Sequence, residues 1–307
     1  MSSELDALER NKIWVILPLP AGKIPIGCKW IYQIKYHSNG SIEHHKARLV
    51  VLRNCQKESI DYTETFAPIA KTTSVHVFLS IAVVRGWELH QMDVHNAFLH
   101  GDLDEEVYMK PPPGLLNVPA GHVCRLKKSL YGLKQAPRNW FAKLSASLWA
   151  FGFHQSYADY SLFPYQICNT TLHVLVYVDD LIVAGNDSLL ISNFKSDLSS
   201  CFHMKDLVTL KYFLGIEFAR SSSGLFLSQR KYTLDILSEA GLLGAKASPL
   251  PMESHQRLTV SQSPVFDDPE HYRRLIGRLV YLTIIRSELS YSVHTLAQFM
   301  QVPKTDH

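Results

Sequence analysis

The chain has 307 residues, 46% of them apolar, and a formal charge of +3, so it can build a core over two or three subdomains while its net charge neither requires nor excludes a nucleic-acid partner. Five cysteines, at 28, 55, 124, 168 and 201, include no Cys-x-x-Cys pair, which argues against a zinc knuckle and suits a reducing compartment. No apolar run reaches the ~18 residues a membrane span needs, and the start of the chain lacks a signal-peptide core.

Residues 1–12 read as an acidic, helix-prone tail. Residues 24–55 alternate strand formers around Ser38-Asn39-Gly40, the pattern of a hairpin. Residues 72–86 open on polar residues, continue with an apolar body and close on Gly86, which predicts a buried helix. Residues 88–94 form a strand reaching Asp93, and Lys110-Pro-Pro-Pro-Gly114 marks a loop. Beyond Pro137, the spacing of Trp140, Leu144, Leu148 and Phe151 is helical, and Gly152 ends that helix.

The run from Leu172 to Ala184 is largely apolar, with the adjacent acids Asp179 and Asp180 in its middle. It reads as strand, tight turn and strand, with both acids at the turn. Asp187 then caps a helix with Ile191, Phe194, Leu198 and Phe202 on one face. A strand over 211–218, a turn at 221–224 and a strand over 225–229 predict a second hairpin. A helix over about 231–240, a polar linker to about 268 and two helices within 272–300 complete the chain.

Two bare carboxylates inside an apolar hairpin are costly unless something neutralises them. A divalent cation does so, and a third acid, Asp93, ends another strand. Two acids on a turn and one on a neighbouring strand are the donors that two-metal phosphoryl transfer requires. An Asp-Asp pair is also ordinary turn chemistry, and on its own it leaves both readings open. Two basic clusters, one of Lys46, Arg48 and Arg53 and one of Lys127, Lys128, Lys134 and Arg138, suit either phosphate or a solvated face.

A series of ordered blocks carries more weight. They are Pro25-Ile-Gly-Cys-Lys-Trp30, Lys46-Ala-Arg-Leu-Val50, Asp61-Tyr-Thr-Glu-Thr-Phe-Ala-Pro68, Gln91-Met-Asp-Val-His-Asn-Ala-Phe-Leu-His-Gly101 and Glu106-Val-Tyr-Met109. They continue with the block from Cys124 to Pro137, which contains Tyr131-Gly-Leu-Lys-Gln-Ala-Pro137. Tyr177-Val-Asp-Asp180, Met204-Lys-Asp206, Tyr212-Phe-Leu-Gly-Ile-Glu217 and Leu227-Ser-Gln-Arg-Lys-Tyr232 follow. Together, over about residues 13–305, they resemble the reverse transcriptase of copia-type LTR retrotransposons, plant elements above all.

The resemblance implies an α+β right-hand polymerase of fingers, palm and thumb, with an antiparallel palm sheet and a short helical connection segment after it. The expected boundaries are a tail at 1–12, the polymerase at 13–250 with its thumb starting near 205–245, and at 251–307 a linker and truncated connection segment before a missing ribonuclease H. The implied activity is RNA- and DNA-templated DNA synthesis. Two Mg²⁺ ions, replaceable by Mn²⁺, would be held by Asp93, Asp179 and Asp180 as catalytic residues. Arg48, Lys46, Phe98, Tyr131 and Lys134 fall to the nucleotide, with the Phe98 ring excluding a 2′-OH. Tyr177, Val178 and Gly215 fall to primer and template. Implied partners are an RNA template, a DNA primer and template, dNTPs, and the integrase and ribonuclease H segments of a Pol polyprotein, in a virus-like particle in the cytoplasm or in the nucleus.

Some positions depart from the family pattern. Leu52 stands for a usual Lys, Arg53 for a Gly, His95 for a frequent Lys and Val208 for a Gly, and Ile285-Arg-Ser-Glu288 replaces Thr-Arg-Pro-Asp. If Arg53 inherits a positive-φ site, the fingers are strained there. These departures open a second reading, a catalytically silent, decayed or domesticated remnant that still binds nucleic acid. A viral-type RNA polymerase with the same palm is a third, against which Phe98 argues.

Overall fold

The computed structural model describes residues 2–37, 40–116, 118–221, 224–253 and 258–307. They divide into two compact units, residues 1–209 and 210–307. The fold mixes helices with antiparallel sheets.

The first unit opens with α1 (Ser2–Arg10). It is no tail. Leu5 and Leu8, one helical turn apart, are buried in a core cluster with Ile13, Leu49, Val51 and Leu130. Then come β1 (Trp14–Pro18), β2 (Cys28–Tyr36) and β3 (Ile42–Val51). β2 and β3 pair antiparallel as the expected hairpin, with Ile31 opposite Arg48 and Gln33 opposite Lys46. Ser38 and Asn39 of its turn lie outside the described residues.

α2 (Thr72–Val84) buries Val75, Phe78, Leu79 and Ala82. It is only half buried, contrary to expectation, since Val77, Ile81 and Val84 recur at helical spacing on the other face and are 52%, 46% and 84% exposed. β4 (Glu88–Val94) follows, then β5 (Tyr108–Met109) and β6 (His122–Leu126), which join β1 in a three-stranded sheet. α3 (Ala136–Phe151) ends on Gly152, whose φ of 110° is the left-handed stop that Gly adopts freely.

β7 (Leu162–Ile167), β8 (Thr170–Tyr177) and β9 (Asp180–Gly185) lead to α4 (Ser188–Cys201) and β10 (Met204–Thr209). Asp187 caps α4 as expected, accepting from the amides of Leu189 and Leu190. The central sheet has the order β10-β4-β9-β8-β7, every pair antiparallel. Residues 204–209, expected at the start of a thumb, are therefore its edge strand.

Alternation sets the two faces of this sheet. Met92, Val94, Leu181 and Val183 pack with Trp140, Leu144 and Leu148 of α3 and with Ile191, Phe194 and Leu198 of α4. Gln91, Asp93 and Asp180 fall on the opposite face. A one-residue slip would bury the acids under the helices, so the apolar pattern itself fixes the register.

In the second unit the expected strand over 211–218 is instead a tight hairpin. β11 (Tyr212–Phe213) and β12 (Ile216–Ser221) are joined by Leu214 and Gly215, with φ of 49° and 73°. Positive φ at both central residues marks a type I′ turn, and Gly215 supplies the second at no steric cost. β13 (Gly224–Ser228) completes a three-stranded sheet, while residues 222 and 223 of the expected turn lie outside the described residues. α5 (Arg230–Glu239), α6 (Pro269–Leu282) and α7 (Ser290–Ala297) follow. The Tyr281 hydroxyl on α6 donates to the Leu214 carbonyl. Among the described residues no helix is long and apolar enough to cross a membrane.

Candidate active site

The site begins at the β8–β9 turn. Tyr177 and Asp180 are the last paired residues, and Val178 and Asp179 form the turn between them. Val178 has φ of 56°, a conformation that a β-branched residue adopts only under constraint. Both turn carbonyls are held from outside the hairpin. The amide of Val94 donates to the Asp179 carbonyl at 2.8 Å. The indole Nε1 of Trp140 donates to the Val178 carbonyl at 2.7 Å.

Asp93 stands directly opposite Asp180 across β4 and β9. Gln91, two residues before Asp93 and 5% exposed, donates from Nε2 to Asp180 Oδ1 at 3.2 Å. Burial drives the Asp180 carboxyl up to about 6; Asp179 and Asp93 push the same way, and the Gln91 bond opposes them. The Asp179 side chain still reaches solvent, yet the surrounding protein displaces enough water to raise its pKa. Asp93 adds to that rise, while Arg48 and Lys46 offset it.

Asp93, Asp179 and Asp180 at this end of the sheet are hard, anionic oxygen donors, the chemistry that suits Mg²⁺ or Mn²⁺. Among the described residues no group of three or more His, Cys, Asp and Glu side chains is disposed to hold a metal by itself.

Around the acids stands a second group. The Arg48 guanidinium lies 5.2 Å from the centre of the Tyr131 ring, and the Phe98 ring meets Tyr131 edge-on at 5.5 Å. The Tyr131 hydroxyl donates to Asn96 Oδ1 at 3.3 Å, and burial pushes its pKa up to about 12. Gly132 lets this segment reach β3: its φ is 94°, and a Cβ there would lie 2.3 Å from the Val51 carbonyl. Lys46 feels Asp93, but desolvation and Arg48 lower its pKa.

Arg48, Lys46, Phe98 and Tyr131 thus gather near the acids. Lys134 is engaged elsewhere, its ammonium donating to the Tyr62 hydroxyl at 2.9 Å. Tyr177 and Val178 flank the acids in the chain. Gly215 belongs to the second unit, where a Cβ would meet the Tyr281 ring at 3.4 Å.

Gln91, Asn96 and the indole nitrogen of Trp140 were not legible as site residues. Gln91 precedes Asp93 by one strand period, which is a usable signal, whereas Trp140 reads from sequence as helix core alone. The expectation of strain at Arg53 is corrected. Arg53 opens a short 3₁₀ turn, Arg53–Cys55, and is absent from the positive-φ residues. Leu52 packs over Gly27, where a Cβ would come within 2.9 Å of Leu52 Cδ1.

Residues 11–254 match the family model described as reverse transcriptase (RNA-dependent DNA polymerase). The chain is 44% identical to the retrovirus-related Pol polyprotein from transposon RE2 of Arabidopsis thaliana and 43% identical to that from transposon RE1 of the same plant; each alignment takes in 100% of this chain and 21% of the relative. It is 36% identical to the Pol polyprotein from transposon TNT 1-94 of Nicotiana tabacum, over 100% of this chain and 24% of that protein. The chain thus spans about a fifth of the length of these curated relatives.

Proposed function

Since this chain belongs to the reverse transcriptase family and aligns end to end with a segment of copia-type Pol polyproteins, we propose that it copies RNA and DNA templates into DNA by two-metal nucleotidyl transfer. The observation that carries this reading is the meeting of Asp93, Asp179 and Asp180 at one end of the central sheet, facing the cations Arg48 and Lys46.

Asp93 and Asp179 would hold both divalent ions, with Asp180 the lesser ligand. When bound, the ions supply the Lewis acidity that lowers the pKa of a primer 3′-OH and neutralises the leaving pyrophosphate. The chain's own side chains do the rest. Arg48 offers a planar, permanently charged fork to a triphosphate, and its Nε is buried without a partner among the described residues. Phe98, braced by Tyr131, would crowd the 2′ position of an incoming sugar and so favour deoxynucleotides. Gln91 holds one oxygen of Asp180 and limits the rotamers open to that carboxylate. Tyr177, Val178 and, in the second unit, Gly215 would meet primer and template, and Lys134 would serve the nucleotide once released from Tyr62. In right-hand terms, the central sheet would be the palm, the β2–β3 hairpin part of the fingers, and the second unit would hold the thumb and connection segment. Integrase and ribonuclease H segments of a Pol polyprotein would be its neighbours.

The test is extension of oligo(dT) on poly(rA) by the purified chain with Mg²⁺ or Mn²⁺, against an EDTA control. Metal-dependent extension supports the reading. A folded chain inert with both ions rejects it in favour of a silent remnant.

A further inference from the structure

We infer that Trp140 is a positioning residue for polymerisation: its indole N–H clamps the strained turn that carries Asp179. This deepens the polymerase reading and rests on it.

Four observations carry the inference. Val178 is held at φ of 56° although β-branched, so the turn is not in a conformation its own sequence prefers. Trp140 Nε1 donates to the carbonyl of that same residue at 2.7 Å, and Trp140 is 1% exposed, so no water competes for the bond. The indole itself cannot retreat, because its ring meets Phe202 edge-on at 5.1 Å and lies 5.9 Å from the His100 ring. The backbone around it is fixed too: a Cβ on Gly101 would lie 2.8 Å from both the carbonyl carbon of Asn139 and the amide of Trp140, so the segment after Phe98 is seated directly on α3.

Trp140 thus ties the Asp179 turn to the same piece of α3 that seats the Asp93–Phe98 segment. The bond to Val178 and the bond from Val94 to Asp179 grip the turn from two sides. Removing the indole N–H leaves the carbonyl of Val178 buried against a group that cannot donate. The left-handed residue then relaxes, and the Asp179 carboxylate moves with it. Trp140 never needs to touch substrate for this, and substrate affinity stays largely unaffected.

The experiment compares the parent with Trp140→Phe, Val178→Gly and the double variant, in two measurements on the full chain. Steady-state primer extension gives kcat and the KM for dNTP. Hydrogen exchange at the Val94 amide, which donates to Asp179, reads the turn without catalysis. Trp140→Phe is expected to lower kcat about tenfold, the scale of one lost buried hydrogen bond, to change KM by less than about twofold, and to speed Val94 exchange. Gly accepts positive φ without strain. On the Val178→Gly background the same Trp140 substitution therefore loses most of its effect on both measurements. Parental kcat together with parental exchange in Trp140→Phe overturns the inference, as does an undiminished loss on the Val178→Gly background. If the parent itself never extends a primer, the polymerase reading fails; the exchange data then decide the clamp alone, faster exchange supporting it and unchanged exchange overturning it. Should Trp140→Phe not fold, benzothienylalanine at position 140, which replaces only the N–H by sulfur, takes its place in both measurements.

Discussion

Asp93 and Asp180 face each other across adjacent antiparallel strands, β4 and β9, while Lys205 of β10 stands opposite Asp93 on its other side. Directly opposed like charges destabilise a sheet, and here partial burial compounds the effect, since Asp180 is driven up to about 6. On the proposed metal-ligand reading, a bound divalent cation offsets that cost. Asp179→Asn should therefore abolish primer extension. In EDTA its melting temperature should equal or exceed the parent's, because one of three crowded charges is gone. Parental extension rates in that variant, or a melting temperature several degrees below the parent's, would reject the metal-ligand assignment.

The role proposed for Phe98 is in sugar choice. Its ring leans edge-on against Tyr131, which is itself bonded to Asn96, so the aromatic wall is braced from behind. Phe98→Val should raise the ratio of kcat/KM for ribonucleotides over deoxynucleotides at least tenfold. It should also cost about 1 kcal/mol of stability through the lost aromatic pair. An unchanged ratio means the ring does not see the 2′ position.

Asp159 makes a prediction about pH. Burial alone would raise its carboxyl, but bonds from the Ser161 and Ser74 hydroxyls and from the amides of Ser161 and Lys71 outweigh burial and lower it. The Lys71 amide lies at the start of α2, 3.2 Å from Asp159 Oδ2, so this carboxylate caps that helix from another part of the chain. A depressed folded pKa gives stability that is complete above the unfolded value, about 3.9, and is lost as pH falls through the folded value. Asp159→Asn should cost about 1–3 kcal/mol at pH 7, and its stability should fall less steeply than the parent's below about pH 4. Parallel acid limbs in urea melts of the two proteins would show that Asp159 carries none of the acid sensitivity.

The legible parts of this fold were those written in local period. The β8–β9 hairpin, the α3 helix with its Gly152 stop and the Asp187 cap all come from residues next to one another in sequence. What was illegible depends on distant contacts. Leu5 and Leu8 looked like part of a tail because their partners Leu49 and Leu130 lie far along the chain. The strand expected over 211–218 concealed a turn because Leu214 takes a left-handed conformation that Leu does not favour. Trp140 was plainly core by its spacing, but no periodicity says that its nitrogen meets Val178, 38 residues away.

Val208 offers the sharpest separation of strain from ordinary propensity. Its φ is 63°. The pairing of β10 with β4 shifts register between Asp206 and Thr209, so Val208 sits in that irregularity, its amide taken by Asp206 Oδ1 at 2.8 Å. Its side chain is 59% exposed and contributes little burial to offset the conformation. At an ordinary exposed strand position, Val→Gly loses about 0.5–1 kcal/mol through backbone entropy and β propensity. At this φ the left-handed penalty on Val, about 1–2 kcal/mol, is relieved at the same time. The net expectation is that Val208→Gly stabilises the chain by about 0.5–1 kcal/mol, a rise of roughly 1–3 °C for a protein of this size. Val208→Ala keeps the Cβ clash and should gain almost nothing. Thermal melts of the three proteins decide it by sign: a lower melting temperature for Val208→Gly than for the parent means that Val208 is not strained.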